Sequence, residues 1–185
     1  MTAKDIPNII SITRMVLVIP VVFLMLEKAL GWALLLFIIA GISDGIDGYL
    51  AKRFNWHSRL GSILDPLADK LLLISSFIAL TWLSLIPVWL TAAIISRDIV
   101  IVIGAITYHY FVGKYEMEPT LISKINTFVQ LSLVVFVMFS EGVWYLGQTV
   151  TQFLIYITLF TTIASGILYV VIWGKRTLNS NKVRQ

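Results

Sequence analysis

Cysteine is absent from this 185-residue chain, which excludes a disulfide framework, a thiolate metal site and a cysteine nucleophile. Charge is scarce too. Only 13% of residues are Asp, Glu, Lys or Arg, against about a quarter in soluble globular domains, so an ordinary soluble fold is excluded. No small-residue cleavage site follows "MTAKDIPNIISITR", and the first apolar run is therefore read as a retained anchor. Internal repeats, low-complexity tracts and linkers are also missing. Residues 1–185 are taken as a single domain.

What fills the chain instead is apolar: 58% of it is hydrophobic. Six stretches approach the roughly 20 residues that cross a bilayer, near 10–27, 30–51, 61–83, 87–111, 119–140 and 149–173. Runs such as "MVLVIPVVFLML" do not alternate, so helices and not barrel strands must span. The expected fold is an all-α membrane bundle of six transmembrane helices. Residues 1–9 are expected along the membrane surface, with Ile6, Ile9 and Ile10 toward lipid and Lys4 and Asp5 toward water. Twelve of the fourteen basic residues fall on one side of such a bundle, which predicts a cytoplasmic location for both termini. The cytoplasmic face of a bacterial inner membrane, or the matrix side of an organellar one, fits that bias.

Four of the ten acidic residues crowd into "SDGIDGYLAKRFNWHSRLGSILDPLAD" on the same side. Asp44 and Asp47 lie three apart at the end of the second helix, and Gly61, Asp65 and Asp69 recur every four residues along the third. A short basic link brings the two faces together. Four converging carboxylates repel unless cations neutralise them, and hard oxygen donors suit Mg²⁺ or Mn²⁺, with room for two ions. Each Asp also has a plainer reading as a solvated helix cap. That reading does not extend to Asp65 and Asp69, which point into an apolar helix. Gly45, Gly48, Ala51 and Gly61 are read either as close-packing positions in lipid or as openings that let a phosphate approach the backbone.

The spacing Asp44-x2-Asp47-Gly48-x2-Ala51-Lys52-x8-Gly61-x3-Asp65-x3-Asp69 resembles the signature of the CDP-alcohol phosphotransferases. All but one of the fixed positions match. The exception is Lys52, where the family usually has Arg: a flexible ammonium replaces a planar fork. The resemblance implies a six-helix membrane enzyme, usually a homodimer, that moves a phosphatidyl group from CDP-diacylglycerol to an alcohol and releases CMP. It implies that Asp44, Asp47 and Asp65 hold the metals, and that Asp69 reaches one metal and serves as base. Gly48, Ala51, Lys52, Gly61 and Ser62 would lie along the nucleotide, and Asn8 in "PNIISITR" would join them.

Further stretches, "LIPVWLTAAIISRD", "EPTLISKINTFVQLSLV" and "FTTIASGILY", resemble the CMP-forming cardiolipin synthases of that family. Their acceptor is phosphatidylglycerol. The sister synthases that use glycerol 3-phosphate tend to show G-K-x-K-T where this chain has Ser123-Lys124-Ile125-Asn126-Thr127, so Asn126 removes one cation. A singly charged phosphodiester needs fewer cations than a phosphate monoester, which favours the lipid acceptor. Arg97 and Asp98 are ionisable inside the fourth helix. Neighbours at i, i+1 do not face each other, so Arg97 is expected to turn to a polar cavity and hold acceptor phosphate with Lys124. The rival reading is a divalent-cation carrier using the same aspartates, but the carboxylates cluster at one face and no second cluster or inverted repeat supplies alternating access. Membrane lipids are expected around the bundle, and no nucleic-acid partner is expected.

Overall fold

The computed structural model describes residues 6–54, 61–112 and 120–183, all in helices or the turns between them. Helix α1 spans Ile6–Leu26, α2 Leu30–Phe54, α3 Gly61–Trp82, α4 Val88–Val112, α5 Leu121–Gly142 and α6 Gln148–Val183. No strand occurs among the described residues. Residues 6–9, expected on the membrane surface, continue into α1 without a break, while residues 1–5 lie outside the described ones.

The turns explain where the helices stop. After α1, the Lys28 amide donates to Met25 at 2.9 Å and the Ala29 amide to Leu24 at 2.9 Å, with Lys28 at φ 59. After α3 the pattern repeats, with Ser84 bonded to Thr81, Leu85 to Leu80, and Ser84 at φ 60. Both are Schellman closures, in which a left-handed residue lets the chain satisfy the last carbonyls of the helix. Neither uses the usual glycine. Pro87 then allows α4 to begin, since it needs no amide partner in a first turn.

Among the described residues, three stretches are long and apolar enough to cross a membrane: Ile9–Leu26, Leu121–Gly142 and Gln148–Ile172, with mean hydropathies of 2.5, 1.8 and 2.1. Exposure agrees with a lipid surround. Ile12, Val16, Ile19, Phe23 and Leu26 form an outward stripe on α1 that is as apolar as its buried stripe, an arrangement water would not favour. The chain is a membrane protein.

Its contacts divide into two compact units. In the first, α1 packs on both α2 and α3, and the end of α5 joins them. Val21 and Met25 of α1, Ala33, Phe37 and Ala40 of α2, and Ala68, Phe77 and Leu80 of α3 form its core. Leu30 and Gly31 meet Gly142 so closely that a Cβ on Gly142 would overlap the Gly31 amide nitrogen and lie 2.6 Å from the Leu30 carbonyl carbon. The second unit holds α4, the first part of α5 and α6, with α4 packed on α6. Leu90 and Ile94 of α4 are buried there, as are Ile155, Thr158, Thr162, Ser165 and Tyr169 of α6. The α6 positions are three and four apart, which places them on one face.

Candidate active site

The buried stripe of α1 changes character along its length. Val21 and Met25 are apolar, and toward the N-terminus the same side presents Arg14 and Ser11, 1% and 0% exposed. A buried guanidinium is costly unless carboxylates neutralise it, and α2 and α3 supply them at this level. Arg14 Nη1 pairs with Asp44 Oδ1 at 2.6 Å and with Asp69 Oδ1. The Ser11 hydroxyl donates to Asp65 Oδ1. Three helices thus converge on three aspartates.

The carboxylates stay reachable. The side chains of Asp44 and Asp69 are 41% and 51% exposed, while that of Arg14 is 0% exposed beneath them. Three carboxylates against one guanidinium leave negative charge in excess, and a cation arriving from the open side would be attracted. Gly61, buried at the start of α3, leaves the helix bare one turn before Asp65. Pro66 follows Asp65 within α3 and cannot donate to the carbonyl of residue 62, so that oxygen lacks its helical partner. Asp47, Gly48, Ala51 and Lys52 belong to α2, Ser62 to α3 and Asn8 to α1; their side chains lie outside the described residues.

Hard carboxylate oxygens suit Mg²⁺ or Mn²⁺. Among the described residues, no three acidic or imidazole side chains are grouped to hold one ion, because Asp44 and Asp69 are turned onto Arg14 and Asp47 falls outside. The donor set still fits a divalent ion. Its carboxylates already share a single cationic nitrogen, and they are open on one side.

In the second unit Arg97, 8% exposed, is pinned from three directions. Its Nη1 donates to Asp98 at 2.7 Å, and its Nη2 to the hydroxyls of Ser123 at 2.8 Å and Ser165 at 2.5 Å. The guanidinium also lies 5.8 Å from the centroid of the Tyr169 ring. Arg97 and Asp98 therefore do bond, contrary to the expectation from their adjacency: a long guanidinium arm reaches around the helix where a short side chain could not. Arg97 Nε is buried without a partner, and the residue borders an apolar groove of about 370 Å³ lined by Val100, Ile163, Gly166, Ile167 and Val170. Lys124 is exposed on α5, beside a separate groove of about 400 Å³ with Phe128 and Leu131.

Asn126 is fully buried. Its Oδ1 accepts from the hydroxyls of Thr161 at 2.9 Å and Thr162 at 3.0 Å, and Gln130 donates to Thr162 at 3.3 Å. The position read from the sequence as a missing cation is thus part of a polar seam between α5 and α6. Arg14 and Ser11 were not picked out by the sequence reading, which used Arg14 only as a marker of membrane side. The signal that could have found it is a lone arginine within a strongly apolar helix, which has to meet a carboxylate.

The family model for CDP-alcohol phosphatidyltransferase matches residues 4–164. The chain is 39% identical over 189 residues to a CMP-forming cardiolipin synthase of Rattus norvegicus, covering 94% of this chain and 62% of that protein. It is 38% identical to the Homo sapiens protein of that name, again over 94% and 62%. The chain thus spans about three fifths of the length of these relatives. It is 33% identical to a CDP-diacylglycerol–glycerol-3-phosphate 3-phosphatidyltransferase of Aquifex aeolicus (strain VF5), with 97% of both chains covered.

Proposed function

The chain belongs to the CDP-alcohol phosphatidyltransferase family, and we propose that it transfers the phosphatidyl group of CDP-diacylglycerol to a hydroxyl of phosphatidylglycerol, giving cardiolipin and CMP. The observation that carries this reading is the convergence of Asp44, Asp65 and Asp69 on Arg14 and Ser11. Relatives named as cardiolipin synthases support the acceptor.

In the proposed reaction the acceptor hydroxyl attacks the phosphorus that bears diacylglycerol. A new P–O bond forms as the bond to the CMP oxygen breaks, and the hydroxyl proton passes to the Asp69 carboxylate. The family is generally divalent-metal dependent. Asp44, Asp47, Asp65 and Asp69 would hold a pair of Mg²⁺ or Mn²⁺ ions, which when bound supply charge neutralisation at the pyrophosphate. Asn8, Gly48, Ala51, Lys52, Gly61 and Ser62 are assigned to the nucleotide side. Arg97 and Lys124 are assigned to the acceptor phosphate; the unpartnered Nε of Arg97 and the apolar groove beside it suit a phosphodiester carrying acyl chains.

The reading includes six membrane-spanning helices acting as one domain, a cytoplasmic active site with both termini on that side, and a homodimer. The basic-residue bias supports the orientation. The test is an acceptor panel: purified protein receives CDP-diacylglycerol with phosphatidylglycerol, glycerol 3-phosphate, inositol phosphate or serine, and the lipid product is identified. Cardiolipin from phosphatidylglycerol is expected. Phosphatidylglycerophosphate from glycerol 3-phosphate, with no cardiolipin, would move the chain to the other synthase class.

A further inference from the structure

We propose that Arg14 is an exchangeable internal cation: it holds the aspartates of α2 and α3 together when no metal is bound, and a divalent ion takes Asp44 and Asp69 over from it. The inference rests on the metal-site reading above and adds a role for a residue outside the aspartate motif.

The geometry has three parts. One nitrogen, Nη1, serves carboxylates from two different helices, as a bridging ion would. It is delivered by a third helix, so the contact ties α1 to α2 and α3 at the polar end of their shared core. The guanidinium is sealed beneath the carboxylates while these are about half exposed, so an incoming ion meets their open side and competes for oxygens that Arg14 now holds.

Charge gives the sign. With Arg14 present, the described cluster carries three negative charges and one positive. Without it the aspartates repel one another unopposed, the metal-free state loses its tie, and a dication gains both a stronger field and an uncontested ligand set. Losing Arg14 should therefore weaken the metal-free protein and strengthen metal binding. An arginine with only a packing role would produce the first effect without the second.

The experiment uses the full chain in detergent. Mn²⁺ binding is followed by the electron-spin resonance of free Mn²⁺, and thermal midpoints are recorded in EDTA and in saturating Mn²⁺. Arg14→Gln is expected to bind Mn²⁺ about tenfold more tightly than the unaltered protein. Its midpoint should fall in EDTA, and Mn²⁺ should recover most of that loss. Arg14→Lys keeps the charge on a shorter arm with fewer donors, so its Mn²⁺ affinity should stay within about threefold, with a smaller midpoint loss that Mn²⁺ also recovers. If Arg14→Gln does not fold, Arg14→Lys carries the test through that recovery. A midpoint lowered equally in EDTA and Mn²⁺, or Mn²⁺ binding weakened by Arg14→Gln, overturns the exchange. Failure of the unaltered protein to bind Mn²⁺ instead overturns the metal-site reading itself.

Discussion

Thr162 donates its hydroxyl to Oδ1 of Asn126 at 3.0 Å, inside a seam where both residues are almost completely buried. From the sequence alone, Asn126→Lys should add a cation for glycerol 3-phosphate and improve its use. The seam reverses that expectation. A lysine there would strip Thr161 and Thr162 of their acceptor and bury an ammonium, at a cost of about 2 kcal/mol or more. The expected outcome is a clearly lowered thermal midpoint with no gain in glycerol 3-phosphate turnover. A stable Asn126→Lys protein that gains such turnover would return Asn126 to the acceptor site.

Asp69→Asn is expected to lower CMP release at least about a hundredfold, the usual scale of a lost general base, while the protein stays folded in detergent. Asp65→Asn should be comparably inactive through loss of a metal ligand. EDTA should stop turnover, and Mg²⁺ or Mn²⁺ should restore it. Both variants retain the apolar core around Phe77 and Leu80, so activity and stability can be read separately. Substantial CMP release by both would remove the carboxylates from the chemistry.

How much of this was legible beforehand depends on whether a feature is local. Helix limits follow from apolar run length and turn chemistry, and α1 to α5 fall within a few residues of their expected ends. The aspartate faces follow from spacing of three and four. Arg14 was illegible because its meaning depends on two helices that begin about 16 and 47 residues later. Asn126 was misjudged because spacing shows which residues share a face but not whether that face meets a cavity or another helix. Arg97 and Asp98 were expected apart on backbone geometry, which leaves out the reach of the arginine arm.

Gly142→Ala tests the close approach of α5 to the start of α2. The added Cβ would overlap the Gly31 nitrogen and lie 2.6 and 2.9 Å from Leu30 atoms, two of these three neighbours being backbone that cannot swing aside. A loss of about 1–3 kcal/mol is expected, as for other overpacked contacts. Gly41→Ala is the control, since nothing lies within 4 Å of its added Cβ, and helix propensity should make it neutral or slightly stabilising. Equal midpoints for the two variants would mean that the glycine contact is looser than described.

Arg97 carries the last prediction, because it is assigned two tasks. Through Ser123 and Ser165 it ties α4 to α5 and α6, while its free Nε and the adjoining groove are assigned to the acceptor. Arg97→Ala removes both functions and should lose stability as well as activity. Arg97→Lys keeps a positive charge but not the fork, so it should preserve more of the fold while losing the directed contact. A charge-assisted bond worth about 1.5–3 kcal/mol corresponds to roughly a ten- to hundredfold rise in KM for phosphatidylglycerol. KM for CDP-diacylglycerol should stay within about twofold, because its proposed partners lie on α1, α2 and α3. Lys124→Ala, on an exposed side chain, should act in the same direction with a smaller effect and an unchanged midpoint. If Arg97→Lys raises both Michaelis constants equally, Arg97 is only a structural tie and the acceptor phosphate must be held elsewhere.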